Sequence, residues 1–422
     1  MTLHIDTSQS QRTVVDFNHH APELRERYHE TYDRLRSACP VAYSEANGGY
    51  WLITSYELMA EAARDARTFS SDHDISGVRT GYQGVTIPPQ PFEFGFTEQD
   101  PPRTTKVRRV LAPFFTPARS AEWKPMMVDV TTACIDRVIE AGRCDFVGDL
   151  GSPIPALLTM MLLDFPLEHW RRFADANHLL LAAVPGSPAH DKAQADMGWC
   201  IDRLQEAIEV RSDPDHPGKD PLTALCQAEI DGEPLTPQEK LGGGMLLMIG
   251  GVDTTTSVLG STIRWLGANP DARRRLRENP ELMTTACEEF LRVFAPVTGN
   301  ARTCTRELEM NGQRLQAGDR VLLNWAACNM DPAVFDEPHE IRLDRAPNRH
   351  ATFGLGIHRC LGSNFARLVF QTVLEQVLER MPDFSIDESG VEPYPSFGVN
   401  RGYVRLPMTF TPGERRGSSI AI

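Results

Sequence analysis

One cysteine set among glycines constrains this chain more than any other stretch. It is Cys360, in the run Phe353 to Gly362, Phe-Gly-Leu-Gly-Ile-His-Arg-Cys-Leu-Gly. Apolar residues follow at Leu361, Phe365, Leu368, Val369, Val373, Val377 and Leu378, and Pro382 closes the run. That spacing predicts an amphipathic helix. Cys360 is then expected at a helix N-terminus, where the dipole and free N–H groups favour thiolate over thiol. The glycines let the backbone come close and aim amides at the sulfur. Such surroundings suit a thiolate metal ligand tuned by hydrogen bonds. A lone cysteine is more often an inert buried residue. Glycines at three fixed offsets, with Phe353 and His358, turn the reading toward a ligand.

The chain has 422 residues, long for one domain, yet no linker-like composition divides it. A hydrophobic fraction of 41% and a charged fraction of 24% are those of a soluble globular protein with a large core. A net charge of −14 argues against a general nucleic-acid binder. The nine cysteines include no C-x-x-C pair, which fits a reducing, cytoplasmic setting better than a disulfide framework. Residues 1–8 lack a basic region followed by an apolar core, so no signal peptide or membrane anchor is expected. The apolar run Met245 to Ile249 is too short to span a bilayer.

Residues 1 to about 20 read as a loose lead-in. Pro22 to Ala38 has helical spacing, and Val41 to Tyr43 and Tyr50 to Ile53 read as a hairpin around Asn47-Gly48-Gly49. Tyr56 to Ala66 returns to helix. Asp72 to Pro102 is rich in Gly, Pro and aromatics (Tyr82, Phe92, Phe94, Phe96) and reads as a long functional loop. Asp100-Pro101-Pro102 opens a helix bearing Arg103, Lys106, Arg108 and Arg109. Residues 121 to about 211 are mostly helical, Ser212 to Pro221 is a surface loop, and 413–422 reads as a disordered tail.

Glu239 to Leu266 reads as one long helix, apolar on every side at Met245 to Ile249 and therefore central. Gly250-Gly251-Val252-Asp253-Thr254-Thr255 interrupts it. Paired glycines cost helix stability, and an acid in an apolar helix costs more unless paired. Such a stretch is either a satisfied polar kink or a site. Further on, Glu289 and Arg292 lie three apart in a helix over Glu281 to Phe294, on one side of it.

The decapeptide around Cys360 resembles the haem-binding signature of the cytochrome P-450 family, Phe-Gly-x-Gly-x-His-x-Cys-x-Gly, at every fixed position. Gly250 to Thr255 is similar to the family's Ala/Gly-Gly-x-Asp/Glu-Thr-Thr/Ser, and Glu289 with Arg292 to its Glu-x-x-Arg. The resemblance implies a mainly α, triangular fold with small β-sheets, one haem-thiolate monooxygenase domain over 1–422. Haem b would lie between the long central helix and the helix after the cysteine. Cys360 would ligate the iron, framed by Phe353 and Gly354. Gly250 would thin the helix wall, Thr254 would hydrogen-bond activated dioxygen, and Asp253 would relay protons to it. Arg108, Arg302 and His358 would bind propionates. Thr104 stands where the family has a histidine, leaving that contact in doubt. Glu289, Arg292 and Arg345 would form a buried structural cluster.

By the same resemblance the substrate pocket is lined by Leu246, Ile249, Gly250, Val297, Thr298 and Val399, with Thr298, Asn300 and Asn400 as polar anchors. The implied activity is O2-dependent oxidation of an apolar small molecule such as a terpenoid, fatty acid or aromatic compound. A peroxide-driven peroxygenase and a non-catalytic haem sensor are the competing readings, and both leave the acid–alcohol pair without a role. Electrons would come from a separate ferredoxin and its reductase, steered to a basic cluster of Arg103, Lys106, Arg109, Arg349 and Arg359.

Overall fold

The long central helix is two helices in line, Pro237–Ile249 and Asp253–Ala268. A capping box starts the first: Thr236 accepts from the Glu239 N–H, and the Glu239 side chain accepts from the Thr236 N–H. The break falls at Gly250-Gly251-Val252, where two poor helix formers meet. The computed structural model describes residues 5–6, 12–74, 81–90, 92–182, 187–398, 400–420 and 422.

Around this axis pack Lys124–Asp136, Pro153–Leu162, Trp170–Ala182, Pro188–Arg211, Met283–Val293 and Ser363–Arg380. Val258, Leu259, Ile263 and Leu266 of the axis join Phe290, Val373, Leu374 and Val377 in the main apolar core. Taken as one stretch, Pro237–Ala268 is long and apolar enough to cross a membrane, but 67% of its apolar window is buried inside the fold. It is a core helix pair, and its apolar surface is spent on neighbours rather than lipid.

A seven-stranded sheet lies to one side, in the order Ile5–Asp6, Val14–Val15, Val41–Ser44, Tyr50–Ile53, Arg320–Leu323, Asn300–Cys304, Phe69–Ser70. The strand Tyr50–Ile53 is apolar throughout because the sheet is covered on both faces. Tyr50 and Leu52 pack toward Leu24, Tyr32 and Leu35 of the helix Leu24–Ala38. Trp51 and Ile53 pack toward Met59 and Ala63 of the helix Tyr56–Arg64. The hairpin turn is the predicted one, with Asn47, Gly48 and Gly49 at φ 52°, 87° and 92°. A Cβ on Gly49 would also sit 2.0 Å from the Tyr43 hydroxyl, which would have to move aside.

Both ends of the chain depart from expectation. The lead-in is not loose throughout: Ile5–Asp6 pairs with Val14–Val15, and Val14 pairs in parallel with Tyr43. The tail expected to be disordered runs along the helix Lys124–Asp136 instead. Arg416 and Gly417 donate backbone N–H groups to the Asp136 carboxylate, and Ser419 bonds Asp129. Small polar residues carry no periodic signal, yet here they satisfy helix carboxylates that would otherwise lose hydrogen bonds on burial.

The loop of residues 72–102 is pinned at Glu98. Its carboxylate accepts from the Val85 and Phe94 N–H groups at 2.8 and 2.7 Å and lies 2.9 Å from His73 Nδ1. Gly95 then packs directly on the central helix. A Cβ on Gly95 would lie 2.6 Å from the backbone nitrogen of Gly243, so this contact needs glycine.

Candidate active site

The Cys360 loop is built by backbone constraint. Gly354 and Gly356 adopt φ 69° and 70°, and a Cβ on Gly356 would lie 2.3 Å from the Ala63 carbonyl oxygen. The Cys360 N–H donates to the Phe353 carbonyl at 2.7 Å, which closes the loop. The Arg367 guanidinium sits 4.4 Å over the Phe353 ring. The helix itself starts at Ser363, so Cys360 precedes its first turn by a short step and the Gly362 N–H aims at the sulfur. Gly362 has no such need: a Cβ there would meet nothing within 4 Å in the chain.

The thiol keeps accessible surface although it lies deep in the fold. Burial therefore pushes its pKa above the ordinary thiol range, while the Gly362 N–H and the charges of Arg108, Arg359 and Arg367 pull it down. In the chain's own electrostatics, desolvation thus opposes the pull of the helix start and its neighbouring charges. A metal cation at the sulfur would reverse the balance, because a coordinating thiol is deprotonated outright.

Next to the cysteine loop, basic groups gather from three separate elements. Arg108, on the helix Arg103–Leu111, donates to the Arg359 carbonyl at 2.5 Å. Arg302, on the strand Asn300–Cys304, is buried, and its guanidinium donates only to its neighbour's carbonyl, Ala301 O, at 2.7 Å among the hydrogen bonds of the described residues. His358 is part-buried, and neither ring nitrogen has a hydrogen-bond partner among the described residues. Burial lowers His358 to about 3, and Arg302 and Arg108 push the same way. Buried donors left without acceptors, beside a cysteine, fit a ligand that carries both a metal and carboxylates. Haem, with its iron and two propionates, meets that description.

Thr104 does not join this group. Its hydroxyl is fully buried and donates to the Phe96 carbonyl at 2.6 Å. A hydroxyl has one proton, and here the loop backbone uses it, so none remains for a propionate.

Opposite in sequence role, the helix break presents Gly250 and Gly251 as exposed positions, with Thr254 half-buried. The Thr254 hydroxyl donates to the Gly250 carbonyl at 3.0 Å, the i−4 back-bond that Thr makes at a distorted turn. Asp253 points elsewhere, as adjacent helical residues must. Its Oδ1 lies 3.4 Å from both the Tyr394 hydroxyl and His178 Nδ1. His178 and Tyr394 belong to no motif, and the sequence reading missed them.

Among the expected pocket residues, Leu246 and Ile249 are half-buried on the same helix, and Val297 is half-buried in a bridge to Asn400. Thr298 is corrected: it is buried and its hydroxyl donates to the Gly398 carbonyl, so it is not a free anchor. The Asn300 side chain accepts from Trp325 Nε1 at 2.8 Å. Asn400 Oδ1 is buried without a partner among the described residues. Val399 lies outside the described residues.

Glu289, Arg292 and Arg345 come together in the interior. Arg292 donates to both Glu289 oxygens at 2.8 Å, and Arg345 Nε lies 3.0 Å from each. Asn348 adds a bond at 3.1 Å that the spacing did not suggest. The remaining Arg292 protons go to the carbonyls of Asn329, Pro338 and Glu340, so no charge is left bare.

Known proteins resemble the chain as a whole. The family described as Cytochrome P450 matches residues 158–406. The chain is 30% identical over 375 residues to linalool 8-monooxygenase of Pseudomonas putida, covering 85% of this chain and 90% of that protein. It is 30% identical over 391 residues to steroid C26-monooxygenase of Mycobacterium tuberculosis, covering 92% and 94%. The crystal structure of CYP109E1 from Bacillus megaterium in complex with testosterone superposes with a TM-score of 0.79 at 27% identity, over 92% and 99% of the two chains. A thiol framed by glycines, orphaned basic groups beside it and a glycine-broken central helix thus recur in a chain that belongs to the cytochrome P450 family, a monooxygenase that binds haem b.

Proposed function

We propose that the chain is a single haem-thiolate domain that hydroxylates an apolar small molecule of terpenoid, steroid or fatty-acid type in the cytoplasm. The observation that carries this reading is the turn at Gly250–Thr254, where accessible glycines and a held hydroxyl adjoin apolar Leu246 and Ile249. Cys360 would hold the iron, while Arg108, Arg302 and His358 would hold the propionates. Haem, when bound, supplies the chemistry of dioxygen reduction. The chain's own residues do the rest. Leu246, Ile249 and Val297 exclude water from an apolar substrate, and Asn400 Oδ1 offers an acceptor to a substrate hydroxyl. Thr254 presents a hydroxyl beside the glycine gap, and Asp253, next to it in the chain, relays protons toward it. The free cysteines, eight of them at least partly buried, suit a reducing compartment.

Thr254→Ala should leave haem and substrate binding intact while product formed per reductant consumed falls roughly tenfold or more, with peroxide released instead. Asp253→Asn should slow turnover. Spectral titration of the haem-loaded protein with terpenoids, steroids and fatty acids reads the substrate class, since a substrate seated beside haem would change its spectrum. Unchanged coupling in Thr254→Ala would remove the hydroxyl from the reaction.

Electrons are proposed to come from a ferredoxin. The basic cluster meant to receive it is smaller than its sequence suggested. Arg103 is spent on Glu239 at 2.6 and 2.7 Å, and Lys106 on Asp231 at 2.5 and 2.6 Å. Arg109, Arg349 and Arg359 remain exposed. Charge reversal at Arg109 and Arg349 together should slow ferredoxin-driven reduction about tenfold or more at low salt, with less effect at high salt. Reduction by dithionite should be unaffected. Equal ferredoxin rates in parent and variant at every ionic strength would place the partner elsewhere.

A further inference from the structure

The described structure pairs Asp253 with two buried groups that no signature predicts. His178 comes from the helix Trp170–Ala182 and Tyr394 from the segment after the strand Glu392–Pro393. His178, Tyr394 and Asp253 are 8%, 1% and 6% exposed. Tyr394 Oη and His178 Nδ1 are 3.0 Å apart, and each lies 3.4 Å from Asp253 Oδ1. Three polar groups from distant parts of the chain, shut away from water, form a closed triangle.

The other ring nitrogen decides what the triangle can do. His178 Nε2 lies 3.3 Å from the Val404 carbonyl, which can only accept. The proton of neutral His178 therefore sits on Nε2, and Nδ1 accepts from the Tyr394 hydroxyl. When Nδ1 is protonated it donates instead, to Asp253, and the Tyr394 hydroxyl is released to donate to Asp253 as well. The triangle has two hydrogen-bonded states that differ by one proton on Nδ1.

We propose that His178 is a positioning residue that holds the proton destined for Asp253, with Tyr394 aligning donor and acceptor. In the transfer, the Nδ1–H bond breaks and an O–H bond forms at Asp253 Oδ1. The imidazolium becomes neutral imidazole, its Nδ1 takes the Tyr394 hydroxyl, and a solvent proton later restores it. This rests on the reading of Asp253 as the residue that relays protons.

The surroundings support a charge-holding histidine. Burial works against the imidazolium, but the hydrogen bond and charge of Asp253 and the Val404 carbonyl outweigh it, so His178 titrates above its ordinary value. Asp145, on the strand Arg143–Asp145, adds a more distant negative charge. The helix Pro153–Leu162 brings no ionisable side chain, and Asp196 of the helix Pro188–Arg211 is taken by Arg172 and Lys192. Tyr394 is held well above its ordinary value by burial and by Asp253, so it stays a donor throughout.

The sign for stability follows from the raised value. Stability contributed by His178 is fully present below about pH 6.5, the unfolded value. It is lost as pH rises through the higher folded value. The melting-temperature gap between holoenzyme and its His178→Gln variant should thus be widest in acid and close in alkali. In turnover, the parent should lose product formation as pH rises through the same value. His178→Gln should remove that limb, slow product formation roughly tenfold at neutral pH and enlarge the solvent deuterium isotope effect. Tyr394→Phe should shift the limb without removing it, and it carries the test if His178→Gln fails to retain haem. If Asp253→Asn slows turnover while His178→Gln and Tyr394→Phe both keep the parent's pH profile, the assignment of His178 is overturned. If Asp253→Asn has no effect, the reading of Asp253 itself is what fails.

Discussion

Cys360→Ser should abolish the strongly red-shifted Soret band that carbon monoxide gives with reduced, thiolate-ligated haem, and with it product formation. The Cys360 sulfur takes only a pull from the Gly362 N–H among the described residues, and it is the Cys360 N–H that closes the loop to Phe353. The variant should therefore fold, with Gly354 and Gly356 still shaping the turn. Arg108, Arg302 and His358 should still hold carboxylates, so weakened haem binding should persist while thiolate character vanishes. The measurement is the carbon monoxide difference spectrum beside the far-ultraviolet circular dichroism of the same sample. A thiolate-type band in a folded Cys360→Ser protein would move the ligand to another residue.

Glu289→Ala should cost about 3–5 kcal/mol of stability, because it leaves two buried guanidinium groups with no counter-charge. Arg292 is fully buried and Arg345 nearly so, and neither can turn to water. Glu289→Gln, which keeps acceptor and shape, should lose less. Denaturant midpoints of the haem-loaded proteins read both. Burial alone would raise the Glu289 carboxyl, but the hydrogen bonds and charge of Arg292, with Arg342 and Arg345, outweigh it and hold the pKa below the ordinary value. Its contribution is therefore present at neutral pH and lost only as pH falls through that depressed value, well into acid. The gap between parent and Glu289→Gln should narrow there. A parent no more stable than Glu289→Ala would mean that the surrounding carbonyls alone satisfy the arginines.

Short-range signals were legible. The hairpin around Asn47-Gly48-Gly49, the helix after Cys360 and the loop glycines depend on local backbone preference and on periodic apolar residues, which a sequence carries openly. What failed was the use made of polar groups. Thr104 and Thr298 have the right chemistry for a ligand contact, but each gives its one proton to a backbone carbonyl, Phe96 in the preceding loop and Gly398 far along the chain. Lys106 reads as a free cation and is paired with Asp231. A side chain's type states what it can donate, and only the neighbours state whether the donation is already made.

The sequence by itself determined the cysteine in its glycine frame, the glycine–acid stretch in the central helix and the spacing of Glu289 and Arg292. Each is a local pattern whose chemistry follows from residue type and offset. The tertiary structure alone decided which groups share a site. Asp253 meets His178, 75 positions before it, and Tyr394, 141 positions after it, because packing of two helices and the segment after Glu392–Pro393 brings them within 3.4 Å. Arg302 and His358 lie beside Arg108 for the same reason. Hydrogen bonds and charge act over a few ångströms, and the distance between residues far apart along a chain is set by packing, which no local pattern records.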